Sequence, residues 1–184
     1  MRRIVGTALG TAVLVGTMLF GGTAAFAQSG GAIKLISPVN ASDTGNKPIP
    51  VVFTGAVGDY GTTVNVNAAG KNDTNGNFTK VTLKKGGFTV DSSSLNAAFN
   101  SSGAPADFNS DNCSGSISVG PATATIVSGS GTGSYKGISG SVDLTATVAV
   151  ILPKKNGSCN TSNNANALAA YGVLTGSGTV SFGS

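Results

Sequence analysis

The chain has 184 residues, a formal net charge of +4 and no histidine. Without histidine, neither a Ser-His-Asp nor a Cys-His catalytic centre can form, and two cysteines alone leave a zinc site short of ligands. The only arginines are Arg2 and Arg3, and the lysines are dispersed apart from two adjacent pairs, so we expect no nucleic-acid partner.

Residues 1–27 have the pattern of a secretory signal peptide. Met1–Arg3 is a positive start, residues 4–20 are apolar, and Ala25-Phe26-Ala27 fits the small-x-small cleavage pattern. As a helix, the apolar stretch would span about 26 Å, less than the hydrocarbon core of about 30 Å, which argues against an uncleaved anchor. We expect cleavage near Ala27, a secreted extracellular product and no stable membrane span after cleavage.

Residues 28–48 are predicted to hold a first strand and a loose connection, and to form one domain with residues 49–184. The strand is expected around Ile33 and Leu35. After residue 48, apolar and polar residues alternate with period two between clusters of Gly, Asn, Asp and Pro, which is typical of short antiparallel strands with one buried face. The clearest such strands cover 64–66, 81–83, 117–119, 142–150 and 180–182.

Two segments depart from this alternation. Ser92–Phe99 predicts one short helix, with Ser92 as the N-cap and with Leu95 and Phe99 four residues apart on the face that packs against the sheet. Residues 164–170 are a weaker helix candidate, because Ala165, Leu168 and Ala169 would line one side of a helical turn.

Cys113 and Cys159 both follow the predicted cleavage site. An exported chain meets an oxidising environment, and an even number of cysteines favours a structural disulfide over a metal site. The bridge would close a loop of about 46 residues, for which the chain-entropy model gives about 4 kcal/mol of stabilisation.

These features predict an all-β fold with a single core. A closed barrel and a sandwich are the two ways in which an antiparallel sheet can protect its edges. We favour a small antiparallel β-barrel with one short helix and one disulfide, and the β-sandwich is the alternative.

The segment Gly131–Gly140, with the sequence GTGSYKGISG, resembles the glycine–tyrosine signature of allene oxide cyclase-like and dirigent-like barrels. The region from Cys113 to Phe182 also resembles secreted actinobacterial proteins that carry this barrel. The resemblance implies about eight strands around a central cavity, with Tyr135 plugging the barrel. It transfers no catalytic residue, because the ionisable groups of the plant enzymes match no position in this chain.

No constellation of residues predicts a catalytic, cofactor or metal site. Asp107–Asp111 opens like a calcium loop, but Asn112 replaces the required glycine and Ser118 the required glutamate, so a turn held by Asx hydrogen bonds is the better interpretation. Asp59, Tyr60 and Tyr135 are candidates for the rim of a pocket that takes a small apolar ligand. The alternative is a turn at Asp59-Tyr60-Gly61 whose tyrosine covers the barrel mouth.

We therefore expect a secreted, non-enzymatic β-barrel that binds a small apolar ligand or a surface partner. The alternatives are a cyclase- or isomerase-type enzyme that uses tyrosine and aspartate inside the barrel, and a structural component of the envelope. An apolar cavity would favour binding, a cavity with convergent aspartate and tyrosine would favour catalysis, and a filled core would favour a structural role.

Overall fold

The computed structural model describes residues 29–39, 47–102, 107–162 and 165–183. The predicted signal peptide lies outside this part of the chain. Within it the elements are β1 (Gly31–Val39), β2 (Ile49–Gly55), β3 (Asp59–Val66), β4 (Phe78–Leu83), β5 (Gly86–Asp91), α1 (Ser93–Ser101), β6 (Ser114–Ile126), β7 (Thr132–Gly133), β8 (Ile138–Ile151), β9 (Lys154–Lys155), β10 (Ser158–Cys159) and β11 (Ala169–Phe182). Among the described residues, no helix is long and apolar enough to cross a lipid bilayer.

Eight of these strands close into an antiparallel barrel, in the order β4-β3-β2-β1-β11-β8-β6-β5. Pairing of β4 with β5, from Phe78–Asp91 to Leu83–Gly86, completes the ring. The junction of β5 with β6 is short and holds the pairs Val90–Ile126 and Asp91–Thr125, while β7 pairs with the other end of β5. The predicted all-β barrel is confirmed, and the sandwich alternative is wrong.

The alternation along β8 sets which side chains fill the barrel. Val142, Leu144, Ala146 and Val148 are buried, whereas Asp143 between them is exposed. Successive side chains of a strand point to opposite faces, so one run of residues serves both the core and the surface. The predicted facing is confirmed from Val142 to Val148, whereas Val150 is only half-buried.

One end of the barrel is closed by aromatic packing, and we call it the tyrosine end. Tyr135 has no exposed surface, and its ring lies edge-on to Phe88 with centroids 5.7 Å apart. Phe88 packs edge-on against Phe53, and the ring centroids of Tyr135 and Phe182 are 6.4 Å apart. Such edge-to-face contacts are the favoured arrangement of aromatic rings. Tyr135 therefore plugs this end, in agreement with the resemblance.

The short helix α1 lies at the opposite end, which we call the helix end. Leu95 is buried against the barrel, and the Ser94 hydroxyl donates a hydrogen bond to the carbonyl oxygen of Thr123 on β6. Ser92 occupies the N-cap position, but its side chain makes no capping hydrogen bond. The Ser92 hydroxyl donates instead to the Asn77 carbonyl oxygen at 3.1 Å, and the Ser93 N–H is bound by the Asp91 carboxylate. The helix is confirmed, whereas the capping role of Ser92 is wrong.

The second helix candidate is also wrong over the residues that the structure describes. Residues 165–167 are irregular, and Ala169 and Ala170 are the first residues of β11, paired with Ile151 and Val150 of β8. Extension of a long antiparallel ladder outweighs the weak helix propensity of a short alanine-rich segment. Residues 163 and 164 lie outside the described part.

The disulfide joins Cys113, just before β6, to Cys159 in β10. Its Cα atoms are 5.3 Å apart, and Cys113 is fully buried. The bridge ties the small β9–β10 hairpin to the start of a barrel strand. The predicted pairing is confirmed.

Candidate functional site

A cavity of about 210 Å³ occupies the barrel interior at the helix end. It lies between the ends of β1 to β5, the inner faces of β8 and β11, and α1. The residues that line it are Leu35, Ser37, Pro38, Val39, Ile49, Val51, Phe53, Thr63, Asn65, Thr79, Val81, Phe88, Val90, Ser92, Leu95, Asn96, Phe99, Val142, Leu144, Ala146 and Leu174.

Apolar side chains line the inner part of the cavity, and uncharged polar side chains line its rim. Phe53 and Phe88 form the floor, where the cavity meets the aromatic cluster of the tyrosine end. None of the described residues that line the cavity has an ionisable side chain. Because a buried charge without a partner would be costly, such a lining suits a ligand without net charge.

Several hydroxyl groups at the rim are already engaged with the barrel itself. The Ser37 hydroxyl donates to the carbonyl oxygen of Pro50 at 2.8 Å. The hydroxyl groups of Thr79 and Ser92 lie 3.1 Å apart, and that of Ser92 also reaches the Asn77 carbonyl. These groups hold the strand ends together, so a ligand would be selected mainly by shape and apolar contact.

One wall of the cavity comes from α1 rather than from the sheet. Leu95 and Phe99 are four residues apart and lie on the same face of the helix. Leu95 is 8 % exposed and Phe99 is half-buried. The helix therefore supplies two apolar side chains that separate the interior from solvent at this end.

The predicted rim residues Asp59 and Tyr135 lie together, but at the tyrosine end. The Tyr135 hydroxyl donates a hydrogen bond to Asp59 Oδ2 at 2.7 Å, and both residues are buried. Asp59 also accepts hydrogen bonds from the backbone N–H groups of Lys85 at 3.0 Å and Tyr60 at 2.8 Å. Neither Asp59 nor Tyr135 lines the cavity at the helix end.

The surroundings of this pair separate the pKa values of its two groups. Burial raises the pKa of the Asp59 carboxyl, but the hydrogen bonds from Tyr135, Lys85 and Tyr60 outweigh it, so the pKa lies below the usual 3.8. Burial, the hydrogen bond to Asp59 and its negative charge all raise the pKa of Tyr135 above 10.0. At neutral pH Asp59 is therefore a carboxylate and Tyr135 a neutral phenol.

The glycine-rich turn positions Tyr135 through close contact of two backbones. Gly133 has φ +59°, and a Cβ there would lie 2.3 Å from the carbonyl oxygen of Lys85. That same carbonyl accepts a hydrogen bond from the Ser134 N–H at 2.9 Å, and the Lys85 N–H binds Asp59. Glycine at this position lets the turn approach the residue that holds the carboxylate.

Tyr60 lies apart from the other two candidates, on the outside of the barrel. Its side chain is 57 % exposed, and Lys84 Nζ stands 5.6 Å from the centre of its ring. Its hydrogen bond to Asp59 comes from the backbone, where the Tyr60 N–H donates to Asp59 Oδ1 at 2.8 Å. The structure therefore does not bring Asp59, Tyr60 and Tyr135 into one cluster, and it puts none of them in the lining of the cavity.

The segment Asp107–Asp111 is held by local hydrogen bonds, as the turn interpretation predicts. The Asn109 side-chain oxygen accepts from the backbone N–H groups of Asp111 and Asn112. The Asp107 carboxylate accepts from the N–H and the hydroxyl of Ser116, which lower its pKa. Over the described residues, no group of three or more acidic, cysteine or histidine side chains could hold a metal ion.

The residues that form the cavity carry no distinctive sequence signal. They are inward positions of several strands together with two positions of α1, and each looks like ordinary core in its own segment. The period-two pattern indicates which side chains point into the barrel. It does not indicate which of them border an empty space, because that depends on how β1 to β5 pack against β8, β11 and the helix.

Comparison of the chain with family models, with characterised proteins and with solved structures finds no match. The fold is established by the strand pairing itself, which gives a closed antiparallel barrel of eight strands. Function is therefore inferred from the cavity at the helix end and from the Asp59–Tyr135 pair.

Proposed function

We propose that this protein is a secreted, non-enzymatic barrel that binds a small apolar ligand in the cavity at the helix end. The observation that carries the proposal is the lining: leucine, valine and phenylalanine in the depth, neutral polar groups at the rim and no ionisable side chain among the described lining residues. Concave, mostly apolar sites with a few polar groups are the usual form of small-molecule sites.

The volume of the cavity limits the size of the ligand. About 210 Å³ exceeds the roughly 150 Å³ of an apolar protein cavity that binds benzene. It is smaller than the roughly 300–1,000 Å³ of sites for drug-sized molecules. A single substituted ring or a short branched hydrocarbon fits these limits, whereas a long-chain lipid would extend out of the cavity.

An empty apolar cavity also favours the binding of an apolar ligand. Side chains that face empty space lose dispersion contacts, and a void lined by apolar groups stays dry rather than filling with water. A hydrocarbon that enters this cavity restores those dispersion contacts. Binding therefore adds to folding stability by mass action.

The arrangement of the titratable groups argues against the cyclase or isomerase alternative. Catalysis in the cavity would need an aspartate and a tyrosine whose side chains converge on it. Asp59 and Tyr135 are instead hydrogen-bonded to each other at the tyrosine end. Phe53 and Phe88 stand between that pair and the space available to a ligand. The cavity itself argues against a purely structural role, for which a filled interior would suffice.

We further infer that the chain is an exported member of the allene oxide cyclase-like and dirigent-like barrels. In support, Gly131–Gly140 contains β7 and the start of the long strand β8, and Tyr135 plugs the barrel. Export is supported by the amino-terminal sequence pattern and is consistent with the Cys113–Cys159 disulfide. Amino-terminal sequencing of secreted protein tests it: the mature chain should begin within a few residues of Gln28, and full-length protein in the membrane fraction would refute export.

Ligand binding is tested by titrating the protein with benzene, toluene and indole, followed by NMR of its leucine and valine methyl groups. We expect saturable shifts at Leu35, Leu95 and Leu144 for at least one probe, with a Kd of about 1 mM or below. A molecule of this size gains at most about 1.5 kcal/mol per non-hydrogen atom. The absence of a saturable shift for every probe would refute the proposal.

Two alanines of β8 provide a matched pair of variants for this titration. Ala146 is buried and lines the cavity, whereas Ala149 is exposed on the outer face. Ala146→Leu should fill the space and weaken binding at least tenfold, while Ala149→Leu should bind as the wild type does. Equal effects of the two substitutions would place the bound probe outside the barrel.

A further inference from the structure

The polar side chains in the lining of the cavity restrict the chemistry of its ligand. They are Ser37, Thr63, Asn65, Thr79, Ser92 and Asn96. A hydroxyl group has one proton to donate and lone pairs that accept, and a side-chain amide has two protons and an accepting oxygen. The hydrogen bonds that these groups make within the barrel determine whether they can donate to a ligand or only accept from it.

Ser37 is the most deeply buried of these polar side chains, with 3 % of its surface exposed. It lies on β1 between the inward positions Leu35 and Val39, and it is paired with Leu174 of β11. These three neighbours have apolar side chains that also line the cavity. The Ser37 hydroxyl is therefore a polar group in an otherwise apolar part of the wall.

The proton of the Ser37 hydroxyl is bound by the backbone of β2. The ladder between β1 and β2 ends at the pair Ile36–Val52, and its register, if continued, would place Pro38 opposite Pro50. Neither proline has an N–H group, so the ladder cannot continue there. The Ser37 hydroxyl donates instead to the Pro50 carbonyl oxygen at 2.8 Å, and it lies 3.2 Å from that of Pro38. The lone pairs of its oxygen are left to accept a hydrogen bond.

The other hydroxyl groups of the lining also donate their protons within the protein. The Ser92 hydroxyl donates to the Asn77 carbonyl oxygen at 3.1 Å. Because the Ser92 proton is used there, the Thr79 hydroxyl, whose oxygen is 3.1 Å from that of Ser92, is the donor between the two. The Thr63 hydroxyl donates to the Ile49 carbonyl oxygen at 3.5 Å.

The amide protons of Asn96 are used in the same way. Its nitrogen donates to the Gly76 carbonyl oxygen at 3.2 Å and to Asn77 Oδ1 at 3.1 Å. Backbone N–H groups of a strand point along the sheet toward the neighbouring strands, and so they do not face the interior of a barrel. Apart from Asn65, which is exposed, the polar side chains of the described lining residues therefore offer a ligand acceptors and no donor.

A ligand that donates a hydrogen bond and one that only accepts would bind differently in this cavity. A ligand hydroxyl can donate to a lone pair of Ser37 Oγ. A carbonyl or ether oxygen would leave its hydrogen bonds with water and meet no donor. Given the proposed binding function, on which this step rests, we propose that the ligand is a small alcohol, apolar apart from one hydroxyl group, that donates a hydrogen bond to Ser37 Oγ.

Three compounds of matched size test the proposal: cyclohexanol, cyclohexanone and methylcyclohexane. Only cyclohexanol can donate a hydrogen bond. Titration of the wild-type protein, followed by NMR of the methyl groups of Leu35, Val39 and Leu174, measures the Kd of each compound. We expect cyclohexanol to bind at least about tenfold more tightly than cyclohexanone, because the ketone oxygen leaves water without gaining a donor. Methylcyclohexane reports whether the cavity takes an apolar molecule that has no polar group.

Two valine substitutions provide a matched pair of variants. Ser37→Val replaces the hydroxyl with methyl groups, which cannot accept a hydrogen bond and which shield the Pro50 carbonyl oxygen. The preference for cyclohexanol should then fall to about twofold or less. Thr63→Val removes a hydroxyl group from the half-buried rim and should keep the preference. Thermal unfolding shows whether each variant is folded, and the comparison of the two ligands on the wild type does not depend on the variants.

Equal Kd values for cyclohexanol and cyclohexanone, together with saturable binding of methylcyclohexane, would overturn the proposal and leave the binding function standing. A preference that survives in folded Ser37→Val, or that is lost in Thr63→Val, would likewise overturn the role of Ser37. Absence of saturable binding for all three compounds would also overturn the proposal. If benzene, toluene and indole fail to bind as well, the proposed binding function is itself wrong.

Discussion

The Tyr135 hydroxyl donates its hydrogen bond to Asp59 Oδ2 across 76 residues of sequence, inside the tyrosine end of the barrel. The bond joins the turn before β8 to the first residue of β3. Through the backbone N–H of Lys85, the same carboxylate also holds the turn between β4 and β5. One buried carboxylate thus connects three segments where the aromatic cluster closes the barrel.

Removing this hydrogen bond should destabilise the protein. Tyr135→Phe keeps the ring but leaves a buried carboxylate short of one donor, at a cost of about 1–3 kcal/mol in the free energy of unfolding. Tyr60→Phe is the matched control, because Tyr60 is exposed and should change stability by less than about 0.5 kcal/mol. Urea unfolding of both variants measures the difference, and equal effects would contradict the role of the pair.

The pair also predicts how stability depends on pH. The Asp59 pKa is lowered by folding, so its contribution is present above about pH 4 and is lost as the pH falls through the folded pKa. The Tyr135 pKa is raised, so its contribution is complete below about pH 10 and is lost as the pH rises toward the folded value.

Single substitutions should therefore weaken the pH dependence of the free energy of unfolding, one at acidic pH and the other at basic pH. Asp59→Asn should reduce the loss of stability below about pH 4, and Tyr135→Phe should reduce the loss above about pH 10, each relative to wild type. Urea unfolding across this range measures both limbs. If the stability of both variants changes with pH as that of the wild type does, at acidic and at basic pH, then Asp59 and Tyr135 are not the groups responsible.

The disulfide should contribute a large share of stability. Its cysteines are 46 residues apart, and the entropy lost by the unfolded chain corresponds to about 4 kcal/mol. The double variant Cys113→Ser/Cys159→Ser should lose most of this amount in denaturant unfolding. Wild-type protein reduced with dithiothreitol serves as a control and should unfold like the double variant. Unchanged stability in both would show that the bridge does not constrain the unfolded chain.

The facing of β8 can be tested at two adjacent residues. Val148 is buried, whereas Thr147 points outward and its hydroxyl lies 2.6 Å from that of Ser118. Val148→Asp would bury an unpaired carboxylate and should cost several kcal/mol. Thr147→Asp should cost only about 0.5 kcal/mol. Thermal or urea unfolding distinguishes them, and similar losses would mean that the strand is buried on both faces.

The features predictable from the sequence were those fixed by local pattern. The alternation in β8 determined which side chains are buried, because neighbouring positions of a strand face opposite sides. Two cysteines left one intramolecular pairing to consider. The spacing of Leu95 and Phe99, together with the serines before them, predicted the helix.

The remaining features depend on contacts between distant segments. Ser92 failed as a cap because the carbonyl of Asn77, brought close by the pairing of β4 with β5, takes its hydroxyl. Ala169 and Ala170 became strand because Ile151 and Val150 extend beside them. The hydrogen bond between Asp59 and Tyr135 could not be predicted from either segment, because closure of the barrel brings the two residues together. The cavity likewise forms only when the strands and the helix are assembled.

The most direct test of the ligand-binding account is a crystal of the protein equilibrated with xenon gas. Xenon enters dry apolar cavities and is located by its anomalous scattering. We expect a peak inside the helix end of the barrel, within about 4 Å of Phe53, Leu95 and Leu144, which is lost in Ala146→Leu. A barrel interior filled by side chains or ordered water, with no xenon at this position, would contradict the account.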